Sequence, residues 1–221
     1  IPQAVNRVAV QRTQPVVVAG LGRAVPPRRM TQQESLEYIL ANFKIREGTK
    51  TLYKKVLGNA AIETRHFCLE PVDEILETDH ERINARFERW AVKLSAESLQ
   101  EALAEAQCTP RQINFLATTT CTGYLCPGLS SYTVEACGLS PDTQLVDLAG
   151  MGCGAAIPAL HQAANFVRIN PGTTAAVVST EICSAAMYSG DAPDLVISNA
   201  IFGDGSAAVL LRSPSQEVSG A

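Results

Sequence analysis

The sequence predicts an α/β fold with a mostly parallel sheet and helices on both faces. Three observations carry this. Short apolar runs at Ile113–Thr118, Gln144–Leu148, Ala175–Ser179 and Ala207–Leu211 have the length of buried strands. Helical patterns at Leu129–Cys137 and Ala155–Val167 alternate with them, as βαβ units require. Ahead of this region, two stretches repeat their apolar residues at a 3.6-residue period, so helices precede the alternating part.

Element by element, Ile1 to Thr13 has no periodicity and reads as a tail, with a single domain expected over 14–212. Val16–Ala19 reads as a buried strand closed by Gly20, Gly22 and the Pro26-Pro27 pair. Thr31 followed by Glu34 makes a capping box for a helix through Leu36, Ile39, Leu40 and Phe43, ending near Lys44. Ile83, Phe87, Trp90 and Leu94 share one helical face, and Leu99, Leu103 and Ala106 form a stripe out of phase with it. A break is therefore expected near Ser95, which suits an N-cap. Ser213 to Ala221 is small and polar, like a linker into a further half.

With 221 residues, 46% of them apolar, the chain can bury a full core. A net charge of −4 without a long Lys/Arg run argues against nucleic acid and anionic membrane surfaces as partners. No apolar stretch reaches the roughly 20 residues of a membrane span, and Ile1 to Gln14 lacks a signal-peptide core, so a cytoplasmic protein is expected. Seven cysteines, unevenly spaced, suit reduced thiols. No CxxC pair occurs and His66, His80 and His161 stand apart from the cysteines, so no metal site is expected and the histidines read as surface or packing residues.

The segment richest in chemistry is Gln144-Leu-Val-Asp-Leu-Ala-Gly-Met-Gly-Cys153-Gly-Ala-Ala, a strand, a small-residue turn and a helix start. Glycines beside Cys153 leave its sulfur approachable, and free N–H groups of the following helix would favour a thiolate and could hold an oxyanion. A nucleophile and a small core residue both fit this placement.

Met151-Gly-Cys-Gly-Ala-Ala156 resembles the active-cysteine turn of the type III polyketide synthases, and Ile201-Phe-Gly-Asp-Gly-Ser-Ala-Ala208 resembles their FGDG block. Thr120-Cys-Thr-Gly-Tyr-Leu-Cys-Pro-Gly128 and Ser179-Thr-Glu-Ile-Cys-Ser184 are similar to pocket-lining segments of the bacterial members, in the same order. The resemblance implies the N-terminal half of a thiolase-like fold. It implies that Cys153 takes an acyl group from a CoA starter and condenses it with the carbanion left by decarboxylation of malonyl-CoA, with no cofactor beyond the CoA thioesters. Phe202 is then the aromatic gate between CoA tunnel and cavity, Cys121 and Cys183 line the cavity, and Lys54 and Lys55 fall where CoA phosphates are held. Core packing for Phe202 and the two cysteines, and simple solvation for the lysines, are the alternatives. The resemblance further implies a cis Cys126–Pro127 bond in a loop that reaches a partner's cavity across a homodimer two-fold. It also places the His and Asn that stabilise the enolate in a C-terminal half of the same fold. A ketoacyl-ACP synthase III, whose turn is usually Ala-Cys-Ala-Gly, a cysteine hydrolase, and a non-catalytic half that binds a partner half are the other readings.

Overall fold

The central strands are apolar on both faces because helices cover both. The computed structural model describes residues 15–59 and 61–214; the expected tail and residues 215–221 of the expected linker lie outside them. Five strands form the main sheet: β1 (Val17–Ala24), β4 (Ile113–Thr120), β5 (Gln144–Ala149), β6 (Thr174–Glu181) and β7 (Gly205–Arg212), in the order β1-β7-β6-β4-β5. β4 pairs in parallel with β5 and β6, whereas β7 runs antiparallel to β6 and β1. Along β6 the period of two is explicit. Ala176 and Val178 join Leu116 and Leu210 under one helical layer, while Ala175 and Val177 join Phe115, Ala117 and Leu211 under the other.

One layer is α3 (His80–Glu105) with α4 (Leu129–Cys137); the opposite layer is α5 (Ala156–Ile169). A smaller unit is built from α1 (Gln32–Asn42), α2 (Glu47–Leu57) and α6 (Pro193–Ile201), with a two-stranded sheet of β2 (Arg28–Thr31) and β3 (Thr64–Phe67). Thr31 caps α1 as its spacing requires, its hydroxyl accepting from Glu34 N while the Glu34 carboxylate accepts from Thr31 N.

Two expectations need correction. No break occurs at Ser95, because α3 runs unbroken for 26 residues. Ser95 and Ser98 are fully buried against the sheet, where Ser95 Oγ lies 2.7 Å from Thr180 Oγ1 and Ser98 Oγ lies 2.8 Å from Ser206 Oγ. These serines are satisfied by the sheet and do not cap a helix. Nor does the first strand end at its glycines. β1 continues through Gly20 and Gly22 because α3 lies directly on it: a Cβ on Gly22 would sit 2.0 Å from the Ser98 carbonyl oxygen, and one on Gly20 2.3 Å from that of Ala102. Two N–H groups of this edge strand are met by α3 as well, Leu21 N donating to Glu105 Oε2 at 2.6 Å and Arg23 N to Glu101 Oε2 at 2.5 Å. Among the described residues no helix is long and apolar enough to cross a membrane.

Candidate active site

Neighbouring strands β5, β4 and β6 point the same way, so the turns that follow them gather at one end of the sheet. Cys121 directly follows β4, Cys153 lies in the turn after β5, and Cys183 follows β6. Thr120 is level with Ala149, Thr119 is level with Ser179, and Gly150 N donates to Thr120 O at 3.0 Å, which ties the β5 turn to the end of β4.

The β5 turn needs its glycines. Gly150 and Gly152 have φ of 73° and 67°, the left-handed region that a side chain disfavours. They deliver Cys153, exposed, into a short 3-10 turn that leads into α5. The Cys121 thiol neighbours that of Cys153. Partial burial, then the hydrogen bond and charge of Glu181, push the Cys121 thiol up to about 12. Cys183 is also pushed up to about 12, first by burial, then by the charges of Asp204 and Glu181 and by the two other thiols. The three cysteines thus form one cluster.

Glu181, the last residue of β6, organises the β4 turn. Its carboxylate accepts from Cys121 N at 3.0 Å and from Thr122 Oγ1 at 2.7 Å, and Thr122 Oγ1 in turn accepts from Ile182 N at 2.8 Å. Gly123 then crosses the Phe87 ring so closely that a Cβ would fall 2.5 Å from its carbons.

Phe202, at the end of α6, lines a cavity of about 330 Å³ together with Thr122, Cys183, Met187, Ser198 and Asn199. It is 43% exposed, and its carbonyl accepts from Arg65 Nη1 at 2.8 Å. Buried Arg65 also donates to Gln32 Oε1 at 2.8 Å and to Asn199 O at 2.6 Å. Burial lowers its guanidinium to about 10, with Asp204 acting in the opposite direction. Asp204 of the FGDG block does not face the cavity. It is 5% exposed and accepts from Cys68 N at 2.5 Å, Ser184 N at 2.8 Å and Ser184 Oγ at 2.5 Å. Burial raises its pKa, and these hydrogen bonds pull against the rise.

The remaining expected residues stand farther out. Cys126 is exposed and lines a separate cavity of about 240 Å³ with Tyr124 and Asp147; its bond to Pro127 is cis. Asp147 fixes that loop by accepting from Ser130 N at 3.0 Å and Thr118 Oγ1 at 2.5 Å. Lys54 and Lys55 are exposed on the last turn of α2 and line neither cavity. Their helix reaches the Phe202 cavity only through its neighbour, where Asn199 Nδ2 donates to Tyr53 Oη at 3.0 Å. His80 and His161 are exposed, and the half-buried His66 pairs its Nδ1 with Pro26 O at 2.7 Å. Among the described residues no group of three or more His, Cys, Asp or Glu is placed to hold a metal. Glu181, Asp204 and Arg65 were not singled out by the sequence. For Glu181 the signal is a charge at the end of a largely apolar strand; Arg65 stands in the polar strand β3 and Asp204 just before β7, so neither carries one.

The chain is similar to known proteins over most of its length. The alpha-pyrone synthesis polyketide synthase-like Pks18 of Mycobacterium tuberculosis is 32% identical over 202 residues, which cover 88% of this chain and 51% of that protein. The 3,5-dihydroxyphenylacetyl-CoA synthase of Streptomyces toyocaensis is 31% identical over 199 residues, 88% of this chain and 49% of that one. The crystal structure of PKS-I from the brown alga Ectocarpus siliculosus superposes with a TM-score of 0.85 at 26% identity, over 96% of this chain and 59% of that one. The chain therefore spans about half the length of the curated relatives it matches. The family model described as FAE1/Type III polyketide synthase-like protein matches residues 12–221. With cysteine turn, cavity-lining segments and FGDG block in one thiolase-type half, and with that match over nearly the whole chain, the protein belongs to the type III polyketide synthase-like family.

Proposed function

We propose that this chain carries the acyl-accepting half of a type III polyketide synthase, with Cys153 as the nucleophile. The observation that carries the reading is the convergence of Cys121, Cys153 and Cys183 at the ends of three adjacent strands, with Cys153 exposed and held at the start of α5 while the thiols of Cys121 and Cys183 are both pushed up. In the loading step the Cys153 sulfur attacks the thioester carbonyl of an acyl-CoA. The new carbon–sulfur bond forms as the bond to CoA breaks, and CoA leaves as its thiol. N–H groups at the start of α5 are the available donors for the oxyanion. In the extension step malonyl-CoA loses CO₂, and its enolate carbon attacks the acyl-Cys153 carbonyl and expels the Cys153 thiolate.

Phe202 is proposed as the ring at the cavity mouth, with Cys183 in the lining of the same cavity and Cys121, next in sequence to its Thr122, as a further substrate-facing residue; both thiols, raised to about 12, stay protonated and do not compete for the acyl group. Lys54 and Lys55 are proposed to hold CoA phosphates, and the Cys126 loop to complete a partner's cavity in a homodimer. The His and Asn that stabilise the enolate are proposed to come from a C-terminal half of the same fold. No cofactor beyond the CoA thioesters enters this scheme.

Incubation with an acyl-CoA followed by intact-mass and peptide analysis tests the assignment. One acyl adduct on the Cys153 peptide, lost in Cys153→Ala, is expected. An adduct on Cys121 or Cys183 with Cys153 free would overturn it.

A further inference from the structure

Behind the Phe202 cavity lies a small crevice of about 20 Å³, and the two share Met187 and Asn199 as a common wall. Its far side is apolar, formed by Ile39, Phe43, Phe67 and Ile75. The polar groups along it are committed elsewhere: Asn199 Nδ2 donates to Tyr53 Oη and Tyr188 O, and Arg65 donates to Gln32, Asn199 and Phe202. The exception is the Ser35 hydroxyl, 4% exposed and without a partner among the described residues. At this size the crevice admits about one water. Anything larger must displace Met187, which is 8% exposed and packs with Phe67 and Leu69. Of the two wall residues only Met187 can move at small cost, because its side chain is unbranched and makes no hydrogen bond, whereas Asn199 is pinned at both donors.

We propose that Met187 is the stop that sets how long an acyl chain the Phe202 cavity takes, and that the crevice behind it is reserve space for the far end of a straight aliphatic starter. The inference rests on the reading of Cys153 as the acyl acceptor. A straight alkyl chain fits the observations better than an aromatic or polar group. Only Met187 and Asn199 line both spaces, and the crevice offers no free hydrogen-bonding partner except the Ser35 hydroxyl.

Met187→Ala deletes three heavy atoms, the length of about three methylenes, and opens the crevice behind them. Each methylene newly accommodated in an apolar pocket is worth about tenfold or more in kcat/KM. Met187→Ala should therefore raise the kcat/KM of starters about three carbons longer, relative to shorter ones, by at least tenfold, and Met187→Phe should lower the same ratio. The measurement uses the full-length enzyme and a series of straight-chain acyl-CoA thioesters, with acylation of Cys153 followed by mass spectrometry alongside turnover. If no thioester acylates Cys153, the reading beneath the inference fails. If Cys153 is acylated but the length profile of Met187→Ala matches that of the parent, the stop is refuted. Ile75→Phe in the Met187→Ala background fills the crevice from its far side and should return the profile to the shorter chains. A profile that stays long places the chain elsewhere and overturns the assignment. Should Met187→Ala fail to fold, as judged by its melting transition, Met187→Phe decides alone, and an unchanged long-to-short ratio refutes the stop.

Discussion

The cluster makes a quantitative prediction about which thiols react. An ordinary cysteine with a pKa of 9.0 is about one-tenth thiolate near pH 8, whereas one raised to about 12, as Cys121 and Cys183 are, is about one ten-thousandth thiolate. The thousandfold loss of thiolate is partly offset because a more basic thiolate is intrinsically more nucleophilic. With a Brønsted slope of about 0.4 to 0.5, three pKa steps return a factor of roughly 20 to 30. The net expectation is alkylation of Cys121 at least about 30-fold slower than that of an equally accessible ordinary thiol, with Cys183 slower still because it is less exposed. Limiting iodoacetamide on the folded protein, quenched over time and mapped by peptide, should thus place early label on exposed Cys153 and Cys126 and leave exposed Cys121 behind. The pH dependence is a sharper test. The Cys121 rate should rise about tenfold per pH unit well past pH 9, where an ordinary thiol levels off. Labelling of Cys121 in step with Cys153 near pH 8, or a plateau for Cys121 near pH 9, would refute the electrostatic picture of Glu181 and the paired thiols.

Other expectations follow from the same geometry. Because the folded state raises the Cys183 thiol from 9.0 to about 12, the unfolded chain loses this proton first; its share of stability should be level below about pH 9 and fall above it by up to ~1.4 kcal/mol per unit, and Cys183→Ala should make the alkaline fall shallower by that share in urea titrations, the raised thiols of Cys68, Cys121 and Cys137 supplying the rest. Gly22→Ala, whose Cβ would lie 2.0 Å from a backbone oxygen, should cost about 2 kcal/mol or more in the same titration, whereas Gly48→Ala in α2, with open space around it, should be neutral or slightly stabilising. Asp204→Ala removes the acceptor of three buried donors and should cost about 3 kcal/mol or more; a loss under about 1 kcal/mol would show that those donors find other partners. Lys54→Glu with Lys55→Glu should raise KM for CoA thioesters in the full enzyme, less so at high salt, and leave acylation of Cys153 by a small non-CoA thioester unchanged.

What the sequence makes legible is what periodicity encodes. The α/β alternation, the capped first helix, α4 to the residue and the runs that became β4 to β7 are all patterns of apolar side chains, and burial on one or both faces explains each. The elements it hides are those whose apolar face is interrupted by a polar residue or is too short to count. α2 buries Thr49 beside Tyr53 and Leu57, α6 buries Asn199 beside Val196 and Ala200, and β2 and β3 are four residues each. Ser95 misleads for the same reason, since a serine inside a helix reads as polar surface or cap until the strand hydroxyl opposite it is known. The cysteine cluster was readable in principle, because Cys121 follows β4 directly and Cys153 and Cys183 lie in the turns after β5 and β6, its parallel neighbours. The carboxylates that tune it were not, because charged residues are exposed far more often than buried.

Those charges explain why motifs far apart in sequence act as one object. Asp204 binds both the amide and the hydroxyl of Ser184, the residue after Cys183, and thereby fixes one wall of the cavity. Arg65 binds the carbonyls of Asn199 and Phe202 and fixes the opposite wall. Glu181 holds the Cys121 amide beside Cys153 and closes the end where the strands terminate. None of the three needs to touch a substrate to matter. A buried charge is costly to desolvate and is held here by hydrogen bonds to amides, hydroxyls and carbonyls, so removing the charge leaves those buried partners unsatisfied. The same economy applies to the FGDG block as a whole. Its phenylalanine faces the cavity while its aspartate faces the core, so a single turn delivers an aromatic ring to the site and anchors the segment that carries Cys183. Substitutions at Asp204 or Arg65 should therefore move the cavity walls, and with them the length profile of accepted starters, before they alter the reactivity of Cys153 itself.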